Sequence, residues 1–242
     1  MKIDIYGDGI GSVEYVQHMG NDITVVNAAR VSFGKHKEEM DEKDKRLIRY
    51  LVKHKHTSTF EHNVITFRFV VPLFVRSQHH RHRTWSYNEI SRRYTDENLR
   101  FYEPTSFRTQ SKSNRQASNT DEINPIMIPD LSNSDYGTRA SQIITEHHTA
   151  SVSLYNDLMS KGVCREQARG VLPQNLYTEY YGTVNLGNLL KYIDLRTHKG
   201  AQWEIQKVAE ACLKIASSLF PETISAFDNA RTGLSKILIQ DK

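Results

Sequence analysis

Arg81-His82-Arg83-Thr84-Trp85-Ser86-Tyr87-Asn88-Glu89-Ile90-Ser91-Arg92-Arg93-Tyr94 is the most informative stretch of this 242-residue chain. From Arg76 to Tyr94 there are five arginines, three histidines, one acid and no lysine, so the segment is built to meet an anion. Using arginine alone favours planar, multi-donor recognition of phosphate or carbonyl oxygens, because the guanidinium fork matches their geometry. A merely solvated face would mix Lys with Glu. Arg81, Arg83, Glu89, Ser91 and Arg93 together supply cations, a carboxylate and a hydroxyl, the inventory for gripping phosphates, flat rings and imide edges. If Asn88 to Arg93 is helical or a tight loop, Glu89 and Arg93 face the same ligand.

Outward from this segment, the pattern is that of an α/β (α+β) protein with more helix than strand. Met1–Tyr6 reads as a first strand. Asn21-Asp22 caps a helix from Ile23 to Val31, and Glu38 to Lys55 is an amphipathic surface helix. Asn63 to Val71 alternates as the clearest strand. Pro72 then suits the first turn of a helix to about Arg83, which would place Gln78 and Arg81 on one face. Residues 107–135 are rich in Ser, Asn and Thr and read as a long polar loop or insertion. A helix from Ala140 to Lys161 stops at Gly162, and Leu176 to Val184 is a strand. Asn185 caps a helix from Leu186 to Leu195. Ala201 to Leu219 forms another, and Pro221 starts a last, shorter one.

The bulk properties restrict the function classes. At 38% hydrophobic and 25% charged residues, with a net charge of +4, the chain suits a globular fold in water. No apolar run approaches the roughly 20 residues needed to span a bilayer, so no membrane partner is expected. The N-terminus lacks a secretory pattern, and the cytoplasm is the expected location. Cys164 and Cys212 are far apart without metal spacing and read as buried small hydrophobes. The histidines alternate with arginines, which repel a metal cation, so no metal is expected. A nucleic-acid patch is the alternative for the arginine-aromatic mix, and a non-catalytic scaffold is a third reading. Glu204, Trp203 and Tyr180 read as core or interface residues.

Residues 81–94 match Arg-His-Arg-x-x-Ser-x-Asn-Glu-x-Ser-x-Arg-Tyr at all nine specified positions. On that basis the chain resembles the flavin-dependent thymidylate synthases. His56-Thr57-Ser58-Thr59-Phe60-Glu61-His62 also resembles the family. So do Arg165-Glu166-x-Ala168-Arg169-x-Val171-Leu172-Pro173, Thr183-Val184-Asn185, Leu195-Arg196 and Ala201-Gln202-Trp203-Glu204-Ile205, in order and spacing. The resemblance covers roughly 1–227 and displaces the nucleic-acid reading.

The resemblance implies a single domain over 1–242, with a twisted, mainly antiparallel sheet flanked by helices. It implies synthesis of dTMP from dUMP, with methylenetetrahydrofolate as carbon donor and FAD recharged by NADPH as hydride source. It also implies a homotetramer with sites shared between subunits. Carried over by residue, Gln78, Arg81, Glu89, Ile90, Ser91, Arg92, Arg93, Arg169 and Arg196 would contact dUMP, with His79 and His80 beside it. Ser58, Arg81, His82, Arg83, Glu89, Asn185 and Lys191 would contact FAD. Arg196 would favour ionisation at N3 of the uracil, since a fixed cation stabilises the imide anion. His56 would lie near the flavin. Ser91 is expected to position substrate, with covalent attack as the less favoured alternative because a serine nucleophile needs a nearby base. The chain departs from the family pattern at Gly187, at Lys191 and at His198-Lys199-Gly200.

Overall fold

The computed structural model describes residues 1–95, 99–130, 132 and 136–233. In chain order the elements begin with β1 (Lys2–Asp4), β2 (Ser12–Met19), α1 (Asp22–Arg30), α2 (Glu42–Lys53), β3 (Val64–Pro72), α3 (Leu73–His79) and β4 (Ser86–Glu89). Then come β5 (Phe107–Gln110), β6 (Ser118–Ile123), β7 (Ile126–Pro129), β8 (Gly137–Arg139), α4 (Ala140–Ser160) and α5 (Arg165–Ala168). The chain continues with β9 (Tyr177–Asn185), α6 (Leu186–Arg196), α7 (Trp203–Leu219) and α8 (Pro221–Thr232). Five strands form one sheet in the order β1-β2-β3-β9-β4, with β1 antiparallel to β2 and helices packed around the sheet. This is the mixed α/β, antiparallel architecture expected from the sequence.

Contacts divide the chain into two compact units. The first comprises Met1–Phe69, His80–Asn88 and the described residues from Tyr180 to Gly233. Its core is aromatic and aliphatic: Phe67, Phe69, Tyr180, Tyr192, Leu186, Leu189, Ile193 and Ile205 are all fully buried. Burial at roughly 25 cal/mol per Å² of apolar surface is what holds these elements together. Polar caps set where the helices begin. The Asn21 side chain accepts from Thr24 N, and Asn185 Oδ1 accepts from Asn188 N at 2.8 Å. Asp22, also buried, accepts from Thr223 N at 3.0 Å and from Glu222 N at 2.9 Å. That contact ties the start of α1 to the start of α8, whose own first residue is the helix-initiating Pro221.

The second unit comprises Val70–His79 and Glu89–Glu179. Tyr155, Ala168, Leu172 and Leu176 form its buried centre, with Leu73 and Phe101 packed against them. The unit boundary falls between Asn88 and Glu89, so the arginine-rich signature is divided within β4.

Several expectations are corrected. α3 ends at His79 rather than near Arg83, and Pro72 closes β3 instead of opening the helix. Gln78 and Arg81 therefore do not share a helix face. The 107–135 segment contains strands where a long polar loop was expected: β5 pairs with β6, and β7 pairs with β8 beyond it, each antiparallel. Residues 131 and 133–135 of that segment lie outside the described residues. β2 is an additional strand that the sequence pattern did not suggest. Cys212 is buried as expected, but Cys164 is exposed where it precedes α5.

Candidate active site

In the second unit, α3, the end of β4, the turn after it and the Arg165–Val171 helical stretch converge on a cavity of about 550 Å³. That lies within the usual range for small-molecule sites. Glu89, Ile90, Ser91 and Arg92 line it together with Arg169, so two separated family segments meet here. Arg76, Glu166, Gln174 and Thr178 line it as well. Glu89 is the best-held polar group. Its Oε1 accepts from Thr178 Oγ1 at 2.6 Å and from Arg76 Nε at 3.1 Å. Among the described residues no donor reaches Oε2, which leaves that oxygen as an acceptor for a ligand. Arg92 donates to the Tyr177 carbonyl at 3.3 Å, and Arg169 Nε donates to the Glu166 carbonyl at 3.3 Å. Both guanidinium stems are thereby oriented at the cavity wall.

Ser91 sits in a turn, its Oγ accepting from Arg93 N at 3.3 Å, and its carbonyl accepts from Tyr94 N at 3.0 Å. No imidazole, lysine or carboxylate among the described residues hydrogen-bonds its hydroxyl. A nucleophilic serine needs such a base, so this geometry favours positioning. Arg93 lies 3.5 Å from Glu166 and does not itself line the cavity. Glu89 and Glu166 both line the cavity, and Arg93 pairs with Glu166 from the turn that follows β4. His79 is fully buried, and Gln78 is not part of this wall.

The first unit holds the rest. Arg196, in the last turn of α6, donates from Nε to His82 Nε2 at 2.9 Å. That bond requires the His82 tautomer protonated on Nδ1. The Tyr192 ring meets the His82 ring edge-on at 4.8 Å. Burial first, and the adjacent Arg196 charge second, push the His82 imidazolium down to about 4. His82 is therefore neutral at working pH and acts as the acceptor that aims Arg196. His80 stacks on Tyr87 at 4.1 Å. Arg81 and Arg83 are exposed, and neither has a carboxylate partner among the described residues. His56 and Ser58 are exposed around a short 3₁₀ turn, with His56 5.7 Å from Tyr50. Lys191 is exposed on α6, and Gly187 stands one turn before it.

These donors suit a flavin dinucleotide. Arg81 and Arg83, without a carboxylate partner among the described residues, are of the type that binds phosphates, and Ser58, Asn185 and Lys191 are polar groups that could add contacts. Asn185 already serves α6 as its cap, so any ligand contact would share that side chain.

His82 offers a direct check of this wiring. Its imidazole resonances should titrate with a midpoint near the acid value of about 4. Because the folded value lies below the ordinary 6.5, the unfolded chain binds an extra proton between these values. Stability should fall as pH drops through that window. Arg196→Ala removes the smaller cause and leaves burial, so the midpoint should rise yet stay below 6.5. An NMR midpoint at or above 6.5 in the unaltered protein would contradict this geometry.

Sequence reasoning missed Arg76, Glu166, Gln174 and Thr178. Arg76 carried a signal as the first arginine of the cluster, and Glu166 as part of the Arg165–Pro173 segment; the role of each depended on the fold, and Gln174 and Thr178 carried none.

Comparison with known proteins places these features in context. The model of the family described as "Thymidylate synthase complementing protein" matches residues 14–222. A flavin-dependent thymidylate synthase from Thermus thermophilus is 42% identical over 221 residues, covering 90% of this chain and 76% of that one. One from Thermotoga neapolitana is 41% identical over 227 residues and 94% of each chain. Among solved structures, a UMP/dUMP methylase, PolB from Streptomyces cacaoi bound with 5-Br dUMP, superposes with a TM-score of 0.75. It is 33% identical and covers 90% of this chain and 95% of its own.

Proposed function

The chain belongs to the flavin-dependent thymidylate synthase family, and we propose that it methylates dUMP to dTMP using methylenetetrahydrofolate, with FAD recharged by NADPH. The observation that carries this reading is the joining of Glu89, Ile90, Ser91 and Arg92 with Arg169 around one cavity. The family match runs through both compact units. That supports treating 1–242 as one catalytic domain, with the paired strands of 107–139 as an elaboration on it. A homotetramer sharing its sites between subunits is part of the same proposal, as is action in the cytoplasm. Among the described residues no helix is long and apolar enough to cross a membrane.

In this reading Arg169 and Arg92 hold the nucleotide phosphate, Glu89 Oε2 accepts from a ring or ribose donor, and Ser91 fixes the nucleotide. Arg93 contributes through Glu166. Gln78, His79 and His80 support this nucleotide set rather than react, His79 from its buried position on α3. Arg81, Arg83 and Ser58 bind the flavin, aided by Asn185 and Lys191. His56 orients the flavin or folate. Arg196, held by His82, stabilises negative charge on the uracil imide and so raises the nucleophilicity of C5. The flavin, when bound, supplies the hydride.

Purified protein should carry a yellow flavin spectrum that NADPH bleaches and that dUMP with methylenetetrahydrofolate restores. A colourless protein that takes up no FAD, or one whose reduced flavin ignores dUMP, would overturn the assignment. Retention by nucleic acid with steep salt dependence and no flavin would revive the alternative.

A further inference from the structure

Between Pro104 and Thr120 the chain carries Arg108, Lys112 and Arg115 and no acid. This stretch contains the turn of the β5–β6 hairpin, which belongs to the second unit, as does the cavity of Glu89 and Arg169. Lys112 and Arg115 are exposed on that turn, and neither has a carboxylate partner among the described residues. Their charge is therefore available to a ligand.

The turn is held by a framework of its own. Gln110 Nε2 lies between 3.0 and 3.4 Å from the carbonyls of Ser111, Asn114, Arg115 and Ala117, and so gathers the turn around one amide. Ser111 N donates to the Ala117 carbonyl at 3.2 Å, Asn114 N to Ser111 Oγ at 3.3 Å, and Gln116 N to Asn114 Oδ1 at 3.0 Å. Below it, Asn119 Nδ2 donates to Thr109 Oγ1 at 3.0 Å and ties the two strands. A backbone fixed in this way holds both cations at set positions, which lowers the ordering cost when an anion arrives.

The hairpin is also tethered to the cavity. Tyr102 N donates to the Asn175 carbonyl at 2.9 Å, and Asn175 Nδ2 donates to the Tyr102 carbonyl at 3.1 Å, between Gln174 and Leu176 of the cavity lining. β5 begins at Phe107, so its root lies within about 18 Å of that rim even if the intervening chain is fully extended. In the reaction proposed above, the one-carbon group of the folate must approach the nucleotide held in this cavity. The glutamyl end, opposite the reacting end, then extends away from it.

We propose that the β5–β6 turn binds the poly-γ-glutamyl tail of the folate co-substrate, with Lys112 and Arg115 each engaging one carboxylate. Such a tail is a row of separate single charges. Two cations three residues apart on a fixed turn match that row better than they match one phosphate, which calls for convergent donors. No aromatic ring stands between Arg108 and Thr120, so the turn lacks the stacking platform that a single-stranded nucleic acid would use. The inference rests on the folate-using reading above.

Turnover by the flavin-loaded protein with monoglutamyl and pentaglutamyl methylenetetrahydrofolate tests it. Two exposed ion pairs should give the pentaglutamate a KM about fivefold lower at low salt, an advantage that shrinks as salt is added. Replacing both cations, Lys112→Ala with Arg115→Ala, should erase that advantage. The double variant should keep kcat, the monoglutamate KM and Tm, because both side chains are exposed. Gln110→Ala keeps both charges but frees the turn, and should lose part of the advantage. If the unaltered protein treats the two folates alike, or the double variant keeps the ratio within about twofold, the inference is wrong while the proposed function stands. Absence of turnover with either folate sinks the proposed function, and calorimetric titration of the two folates then still reads the turn. Tighter pentaglutamate binding in the unaltered protein but not in the double variant supports the inference, and equal binding overturns it.

Discussion

Arg196→Ala is expected to lower turnover by ~10²–10³-fold, the cost typical of deleting one preorganised donor at a developing anion, while the flavin stays bound. The size follows from how Arg196 is held. It sits in the last turn of α6, where a cation also complements the helix dipole. Its Nε is committed to His82, so the orientation of the guanidinium is set before substrate arrives. A preorganised cation incurs no reorganisation cost when charge develops on the uracil imide, whereas water would have to turn. The effect should fall on kcat more than on KM, because stabilisation is greatest once the imide ionises. Arg196→Lys should recover only part of the rate: it keeps the charge but loses the planar fork and the bond to His82. Flavin absorbance and FAD affinity separate this from unfolding. If Arg196→Ala kept more than about a tenth of the activity, the activating role would belong to another residue.

What could be read in the sequence follows what is local. Asn185 capping α6, Gly162 after α4 and Pro221 opening α8 each act through their own backbone neighbours, so their consequences were visible without a fold. β3 was visible because its alternation is strong. β2 was not, because its exposure does not alternate (its second half is wholly exposed) and its pairing with β1 rests on backbone bonds that leave no apolar pattern. The same holds for β5 to β8: β6 is mainly exposed, and its ladder with β5 does not show in Ser118-Asn119-Thr120-Asp121. In the site, residue types were readable and geometry was not. The signature named Glu89 and Arg93 as equals, but Arg76 and Thr178 fix the first and Glu166 engages the second. The hydrogen bond between His82 and Arg196, far along the chain, left no trace in the sequence pattern.

Trp85 occupies an unspecified position of the signature, and its removal should be the most damaging change to stability. Trp85→Ala is expected to cost ~3–5 kcal/mol, as for other large aromatic deletions in cores. The ring is 6% exposed and lies 5.2 Å from Tyr192, 6.0 Å from Phe69 and 6.1 Å from Tyr87, the last nearly parallel. It packs so closely over β9 that a Cβ on Gly182 would lie 3.2 Å from Trp85 Cε3 and 2.8 Å from Phe69 Cε2. The backbone beneath therefore cannot grow a side chain to fill the void, and the neighbouring rings are locked by one another. Set against a total stability of roughly 5–15 kcal/mol, the loss brings the first unit near its unfolding threshold. Arg81→Ala, four residues earlier and exposed, should change stability by no more than about 0.5 kcal/mol, although it is a specified signature residue. Urea unfolding of the flavin-free proteins measures both. A Trp85→Ala loss below about 1 kcal/mol would mean that the cluster collapses to refill the site, contrary to the packing over Gly182. The damage should also reach the chemistry, because Tyr192 touches both Trp85 and His82, and His82 aims Arg196. At a temperature where the variant remains folded, its turnover should fall and its His82 titration midpoint should rise as solvent enters. A merely destabilised fold with an intact site would leave both unchanged.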